Sequence, residues 1–275
     1  MPKKINWPTV ITFTVLHIGS VAALFHFSWG AVITAAVLYW ICIGWGIGMG
    51  YHRLLTHRSY VVPKWIEYLF TVCGTMTLEG GPLFWVGTHR IHHQRSDKPG
   101  DPHSPRDGAW WAHLFWMLLG DAGHNNTNEF RRYVPELGKD RVHRFLNTYH
   151  YLPLAVSAVI LYAAGGLPYV LWAVCMRVTV GQHATWAVNS ATHMWGARRF
   201  DTTDDSRNNW WVALLTFGEG WHNNHHAHPN SARHGLAWYE VDCTWYQIRL
   251  LERLGVARRV KVASVEAALI EEMAA

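Results

Sequence analysis

Charge is the scarcest commodity in this chain. Only 16% of its 275 residues are Asp, Glu, Lys or Arg, against roughly 25% in an ordinary soluble domain, so much of its surface is expected to avoid water. From Ile5 to His52 there is no charged side chain except that of His17, His26 or His52 if protonated. That run of about 48 residues far exceeds the roughly 7 to 15 of a signal-peptide core and the ~20 of a single span. A signal peptide is therefore excluded despite Lys3 and Lys4 ahead of it. The four cysteines, Cys42, Cys73, Cys175 and Cys243, form no CxxC pair, which argues against a zinc knuckle or a disulfide framework. No GxGxxG fingerprint and no HPGG haem motif occur, so electrons for any redox chemistry must come from outside. The net charge of +5 comes without the dense basic stripe that nucleic-acid binding requires. There is no internal repeat, low-complexity tract or linker, and residues 1–275 are expected to form one domain.

What is abundant fits a bilayer. Half the residues are hydrophobic, and 17 Trp and 11 Tyr supply rings that favour the headgroup region. The charge-free run predicts a helical hairpin: Thr9 to Phe27, a turn at Ser28-Trp29-Gly30, then Ala31 to Gly50. A second hairpin is expected from Tyr151 to Ala164, with a turn at Gly165-Gly166-Leu167-Pro168 and a return from Tyr169 to Asn189. The spans are thus 9–27, 31–50, 151–164 and 169–189, with a cap of 51–149 and 190–275. The outer turns lack Lys and Arg, whereas Lys3, Lys4, Arg53, Arg58, Arg90, Arg95, Arg131, Arg132, Arg198 and Arg199 lie elsewhere. This asymmetry places termini and cap in the cytoplasm. Trp65 to Trp85 is expected as one interfacial helix, Trp110 to Leu119 as another, and Trp245 onward as an amphipathic tail. The predicted fold is an all-α integral membrane protein, four transmembrane helices in two hairpins carrying a cytoplasmic helical cap.

Nineteen histidines are present, and nine of them cluster. His52 and His57 follow the first hairpin; His89, His92 and His93 stand at i, i+3 and i+4, a spacing that shares one helix face. His222, His225 and His226 repeat it, and Asn189 and His193 close the second hairpin. Imidazole binds several transition metals, so histidine alone does not name one. Nine nitrogens exceed the needs of a single ion and imply two. The Glu and Glu-x-x-His pattern of soluble di-iron carboxylate proteins is absent. A lone histidine is usually an ordinary surface or core residue, but two HxxHH groups with an HxxxxH and an NxxxH on one inferred side do not fit that reading.

The boxes HRLLTH, HRIHH and HNNHH, with NSATH ending the last span, resemble those of the membrane fatty-acid desaturase family, in particular its bacterial and cyanobacterial delta-9 branch. The flanks GPLFWVGTHRIHHQRSDKPGDPHSP and WWVALLTFGEGWHNNHHAHPNSARHG extend the likeness from Trp40 to about Val262. The resemblance implies an O2-dependent enzyme that introduces a cis double bond into a saturated fatty acyl chain. Its cofactors would be two Fe(2+) ions held by His52, His57, His89, His92, His93, His193, His222, His225 and His226, with Asn189 reaching one iron through a water. It makes Trp85 and Thr185 candidates for the bend of a substrate tunnel, though core packing accounts for either. Arg177, inside the last span, is either a substrate contact, a structurally paired charge or the sign of a misplaced boundary. The electron donor would be a ferredoxin or a b-type cytochrome, and Arg90, Arg95 and Arg131 either dock it or meet lipid phosphate. The acyl carrier is open among coenzyme A, glycerolipid and acyl carrier protein. The expected location is a bacterial inner or thylakoid-type membrane, as a multi-pass protein. Two alternatives remain: a di-iron hydroxylase or ketolase acting on an alkane, sterol or carotenoid, and a non-catalytic membrane haem or metal-transport protein.

Overall fold

The computed structural model describes residues 4–119 and 130–263; Lys3, His124 and the end of the C-terminal tail lie outside them. Among the described residues the regular structure is helical, with four isolated β-bridges and no strand. Helix α1 (Trp7–Ala23) begins earlier than the apolar run suggests, because Pro8 sits in its first turn and the Asn6 side chain caps it by accepting from the Thr9 N–H. Proline is well suited to a first helical turn, where its missing N–H is not needed. Helix α2 (Trp29–Thr56) also differs from expectation. Trp29 and Gly30 are helical, and the turn lies at residues 24–28. Gly30 serves packing instead: a Cβ there would stand 2.3 Å from the Tyr169 hydroxyl.

The second half of α2, Trp40–Thr56, is π-helical. The first histidine box therefore lies at the end of a helix and not beyond a span ending at Gly50. Helix α3 (Lys64–Thr75) packs on α2 so closely that a Cβ on Gly46 would fall 2.4 Å from the Gly74 nitrogen. The expected single helix over Trp65–Trp85 is two. Leu78 and Gly80 take positive φ and Pro82 opens helix α4 (Pro82–Arg95), so the chain turns between them. The side chain of Asn147, on α5 (Arg141–Thr148), accepts from the N–H groups of Leu83 and Phe84 and fixes the start of α4.

Among the described residues two helices are long and apolar enough to cross a membrane, α2 and α6 (Leu152–Met194, 43 residues), and α1 is a shorter apolar helix. A straight helix of that length would extend roughly 65 Å at 1.5 Å per residue, about twice a bilayer core. It is not straight. Gly166 has φ 69° and ψ −157°, with Pro168 two residues on, a conformation open to glycine and closed to most side chains. Leu154 and Leu161 before this break share an apolar cluster with Ala173, Val174 and Val178 after it, and with Leu16 and Ala35 of α1 and α2. Large apolar side chains point outward from this bundle, Phe25 81% exposed and Val159 71%, as expected of a surface covered by lipid.

Arg177 is buried in α6, where Nε donates to the Ala173 carbonyl at 3.0 Å and Nη1 to the Met76 carbonyl at 2.7 Å, while Nη2 has no hydrogen-bond partner. Gln182 donates to the Thr77 carbonyl in the same turn. The two residues hold the end of α3, where helix carbonyls are electron-rich and lack partners. Two of the three guanidinium nitrogens of Arg177 thus have backbone partners. Beyond the bundle, α7 (His222–Ala227) and α8 (Cys243–Arg253, capped by Asp242) complete the cap, and the chain returns along residues 59–61 through the Val61–Arg258 bridge.

Candidate metal centre

Each helix that carries histidines has a local reason for being where it is. In α2 the i→i+5 bonding, seen in the His57 N–H to His52 carbonyl contact at 3.1 Å, brings residues five apart onto one side. In an α-helix, His52 and His57 would point about 140° apart, given 3.6 residues per turn; here their ring centres are 4.8 Å apart. The two asparagines inside the last box anchor α7. Asn223 accepts from the N–H groups of Arg199 and Phe200, and Asn224 donates to the His234 carbonyl.

The nine imidazoles converge in two groups. His52, His57, His89, His93 and His225 form one, and His92, His193, His222 and His226 the other, with the ligand atoms of each group all within 4.8 Å of one another. The two HxxHH boxes divide reciprocally. On α4 the i, i+4 pair His89 and His93 serves the first group while His92 serves the second; on α7 the pair His222 and His226 serves the second while His225 serves the first. Helix α2 adds two histidines to the first group and the end of α6 adds only His193 to the second. Asn189, one turn before His193, lines a narrow cavity together with His89.

Carboxylates stand behind several rings. His52 Nδ1 meets Glu219 at 2.5 Å, His92 Nδ1 meets both oxygens of Asp101 at 3.0 Å, His193 Nδ1 meets Asp97 at 2.7 Å and His226 Nδ1 meets Asp204 at 2.8 Å. Such contacts hold the proton on Nδ1 and turn the Nε2 lone pair inward. Lone pairs then face nitrogen: His52 Nε2 lies 3.1 Å from His225 Nε2 and His193 Nε2 lies 3.1 Å from His222 Nε2. The Nε2 atoms of His57 and His226 are buried with no hydrogen-bond partner. A neutral imidazole has one N–H to give, so crowded inward lone pairs are best satisfied by cations. The donor set fits a pair of transition-metal ions.

The electrostatics agree. Burial, reinforced by neighbouring imidazoles, holds His89, His93, His222 and His225 well below the usual histidine range, and burial brings His226 down to about 4 against the pull of Asp204. These rings are neutral near pH 7, the form that ligates metal. Burial alone would raise the aspartates, but the imidazoles they touch prevail, taking Asp101 down to about 2 and Asp97 and Asp204 below the usual carboxylate range.

Trp85 and Thr185 line the cavity beside the metal groups, with Phe84, Trp116 and Met117. Arg177 is not among its lining residues. Glu79 lines it, with Oε2 accepting from Trp85 Nε1 at 3.2 Å and Oε1 unpartnered; burial pushes its carboxyl up to about 8. Two of the basic residues counted toward the cytoplasmic surface are spent internally. Arg53 is fully buried between Glu219 and Asp242, and Arg90 donates to the carbonyls of Leu55, Thr56 and Tyr133. Sequence reasoning passed over Asp97, Asp101, Asp204 and Glu219, and also His234, whose ring lies tilted with its centre 4.4 Å from that of His225. The aspartates lie close to the boxes in sequence, but single carboxylates in a loop carry no periodic signal.

Comparison with known proteins places this geometry. The sn-1 stearoyl-lipid 9-desaturase of Anabaena variabilis is 48% identical, covering 94% of this chain and 95% of that protein. The chloroplastic palmitoyl-monogalactosyldiacylglycerol delta-7 desaturase of Arabidopsis thaliana is 46% identical over 95% of this chain and 70% of its own length. An acyl-CoA 5-desaturase of Anemone leveillei is 44% identical, over 95% and 84% respectively. The family model described as Fatty acid desaturase matches residues 27–257, a span that contains all nine clustered histidines, and the chain therefore belongs to the fatty acid desaturase family.

Proposed function

We propose that this protein is a membrane delta-9 desaturase that introduces a cis double bond into a saturated acyl chain carried on a glycerolipid. The observation that carries the reading is the convergence of nine imidazoles, six buried and three half-buried, into two adjoining groups within a chain of this family. The two groups would hold two Fe(2+) ions, five histidines at one position and four at the other, with Asn189 contacting one of them through a water. When bound, the iron pair supplies activation of O2 and removal of two hydrogens from neighbouring methylenes. The protein's own part is to hold the ligands neutral, keep water from the cavity and place the acyl chain.

The cavity bounded by Trp85, Thr185, Phe84 and Trp116 adjoins His89, and its largely aromatic wall suits a methylene chain. A fixed geometry between this cavity and the metal positions would set which bond is oxidised. Relatives of similar identity bear names with positions nine, seven and five and with lipid or CoA carriers. Position nine and a lipid carrier follow the relative matched over nearly the whole of both chains.

The topology that suits this chemistry has four spans in two hairpins: α1 with the apolar half of α2, and the two limbs of α6 either side of Gly166. Termini and metal site then share the cytoplasmic face of a bacterial inner or thylakoid-type membrane, in one domain of residues 1–275. Reduced ferredoxin is the proposed donor, and exposed Arg95 and Arg131 remain available to meet it. Fatty-acid profiling after expression in a host without monounsaturated lipids tests the reading. An alkene at the ninth carbon, appearing on intact glycerolipid, is expected. A hydroxylated chain would establish a hydroxylase, and unchanged lipids with folded, iron-loaded protein would refute desaturation.

A further inference from the structure

The two metal positions differ in more than ligand number. Among the four histidines of the second group, three carry a carboxylate on Nδ1: His92 with Asp101, His193 with Asp97 and His226 with Asp204. Among the five of the first group only His52 does, with Glu219. The carboxylates themselves are unequal. Glu219 is shared with Arg53, at 2.8 Å from Nη2, and with His234 at 3.2 Å, so its charge is largely compensated. Asp97, Asp101 and Asp204 are stabilised by neutral donors: Ser104 Oγ and the Asp205 N–H for Asp97, the Asp97 and His103 N–H groups for Asp101, Thr202 Oγ1 and the Ser206 N–H for Asp204. None of the three makes an ion pair with Lys or Arg among the described residues. The nearby guanidinium of Arg106 pairs with Asp205 and meets Asp97 only at its backbone carbonyl.

A carboxylate on the far nitrogen makes imidazole a stronger electron donor to a metal, and such partners typically alter affinity about 10- to 100-fold. Three uncompensated carboxylates against one compensated one is a large imbalance between two adjoining ions. From this, and resting on the iron-pair reading, we infer that the four-histidine position is the electron-rich one and the five-histidine position is reduced first. Each reduced donor molecule loses one electron. The first converts ferric to ferrous iron at the five-histidine position, and the second does the same at the four-histidine position. An open cleft lined by His57, His93 and His226 reaches the five-histidine group through two of its ligands, a short path for the first electron. Asp97, Asp101 and Asp204 are thus positioning residues that set a redox order.

The test is anaerobic stepwise reduction of the diferric holoenzyme, loaded with isotopically enriched iron and followed by Mössbauer and electron paramagnetic resonance spectroscopy. After one electron equivalent, a mixed-valent state is expected in which one ferric doublet has gone and the other persists. Asp101→Asn and Asp204→Asn, prepared separately, should raise the potential of the late-reduced iron and weaken its binding about tenfold or more, leaving the early one nearly unchanged. Two irons that reduce together in the wild-type enzyme, or substitutions that act on the early-reduced iron, would overturn the redox order alone. One iron per chain would overturn the paired-iron reading and this inference with it.

Discussion

At the scale of single residues, the site is a set of neutral donors held by buried charge. Arg53 is the clearest case: fully buried, it compensates Glu219 and Asp242, and Glu219 in turn orients His52. Removing one member of such a network leaves the others uncompensated, at a loss of about 3–5 kcal/mol. Arg53→Met should therefore lower the thermal unfolding midpoint of the detergent-solubilised protein sharply and reduce its iron content. An unchanged midpoint would show that the network contributes little. Glu79 gives a pH prediction. Its carboxyl, raised by burial from 4.5 to about 8, stays protonated in the fold when the unfolded chain has already ionised. Its stabilising contribution is complete below about pH 4.5 and lost as pH rises through about 8. Wild-type stability should decline across that window, and Glu79→Gln, which keeps an acceptor for Trp85, should flatten the decline. Unfolding midpoints measured at several pH values check the difference.

At the scale of elements, the sequence was legible where a single physical rule decides. The i, i+3, i+4 spacing of His89, His92 and His93 marked a helix face, and that face does meet the centre. The spacing says nothing about which ion each ring serves, because the division between two positions depends on how α4 and α7 pack. The His52–His57 spacing was legible as a box but not as a helix end, since a π-helical stretch has no signature in residue type. Helix limits shifted for local reasons: Pro8 and Asn6 started α1 early, and Pro82 with Gly80 split an apolar stretch that hydropathy joined. Gly46 serves a close helix contact. It lets α2 approach the backbone of Gly74, and α2 carries the proposed ligands His52 and His57. Gly46→Leu should overpack this contact by about 1–3 kcal/mol and displace His52 and His57, so iron per chain should fall more than expression does. Full iron loading in a stably folded Gly46→Leu protein would contradict that coupling.

At the scale of the whole molecule, the proposed topology makes two apolar hairpins a scaffold that presents histidine-bearing helix ends to one cap. The break at Gly166 matters here, because α6 must double back for His193 to reach the cap that His52 also reaches. Cysteine accessibility probes the arrangement. Single cysteines introduced at residues 26 and 167, in a background lacking the native four, should react with impermeant reagent from the side opposite one introduced at Arg95. Labelling of all three from one side would refute the two-hairpin topology.

The most direct test of the central claim is the metal content of the purified holoenzyme, determined together with X-ray absorption at the iron edge. The account predicts about two irons per chain, a first shell dominated by histidine nitrogen, and loss of iron from both positions when His89, His92 and His93 are replaced together. A single iron, a porphyrin spectrum, or full iron retention in that triple variant would contradict it.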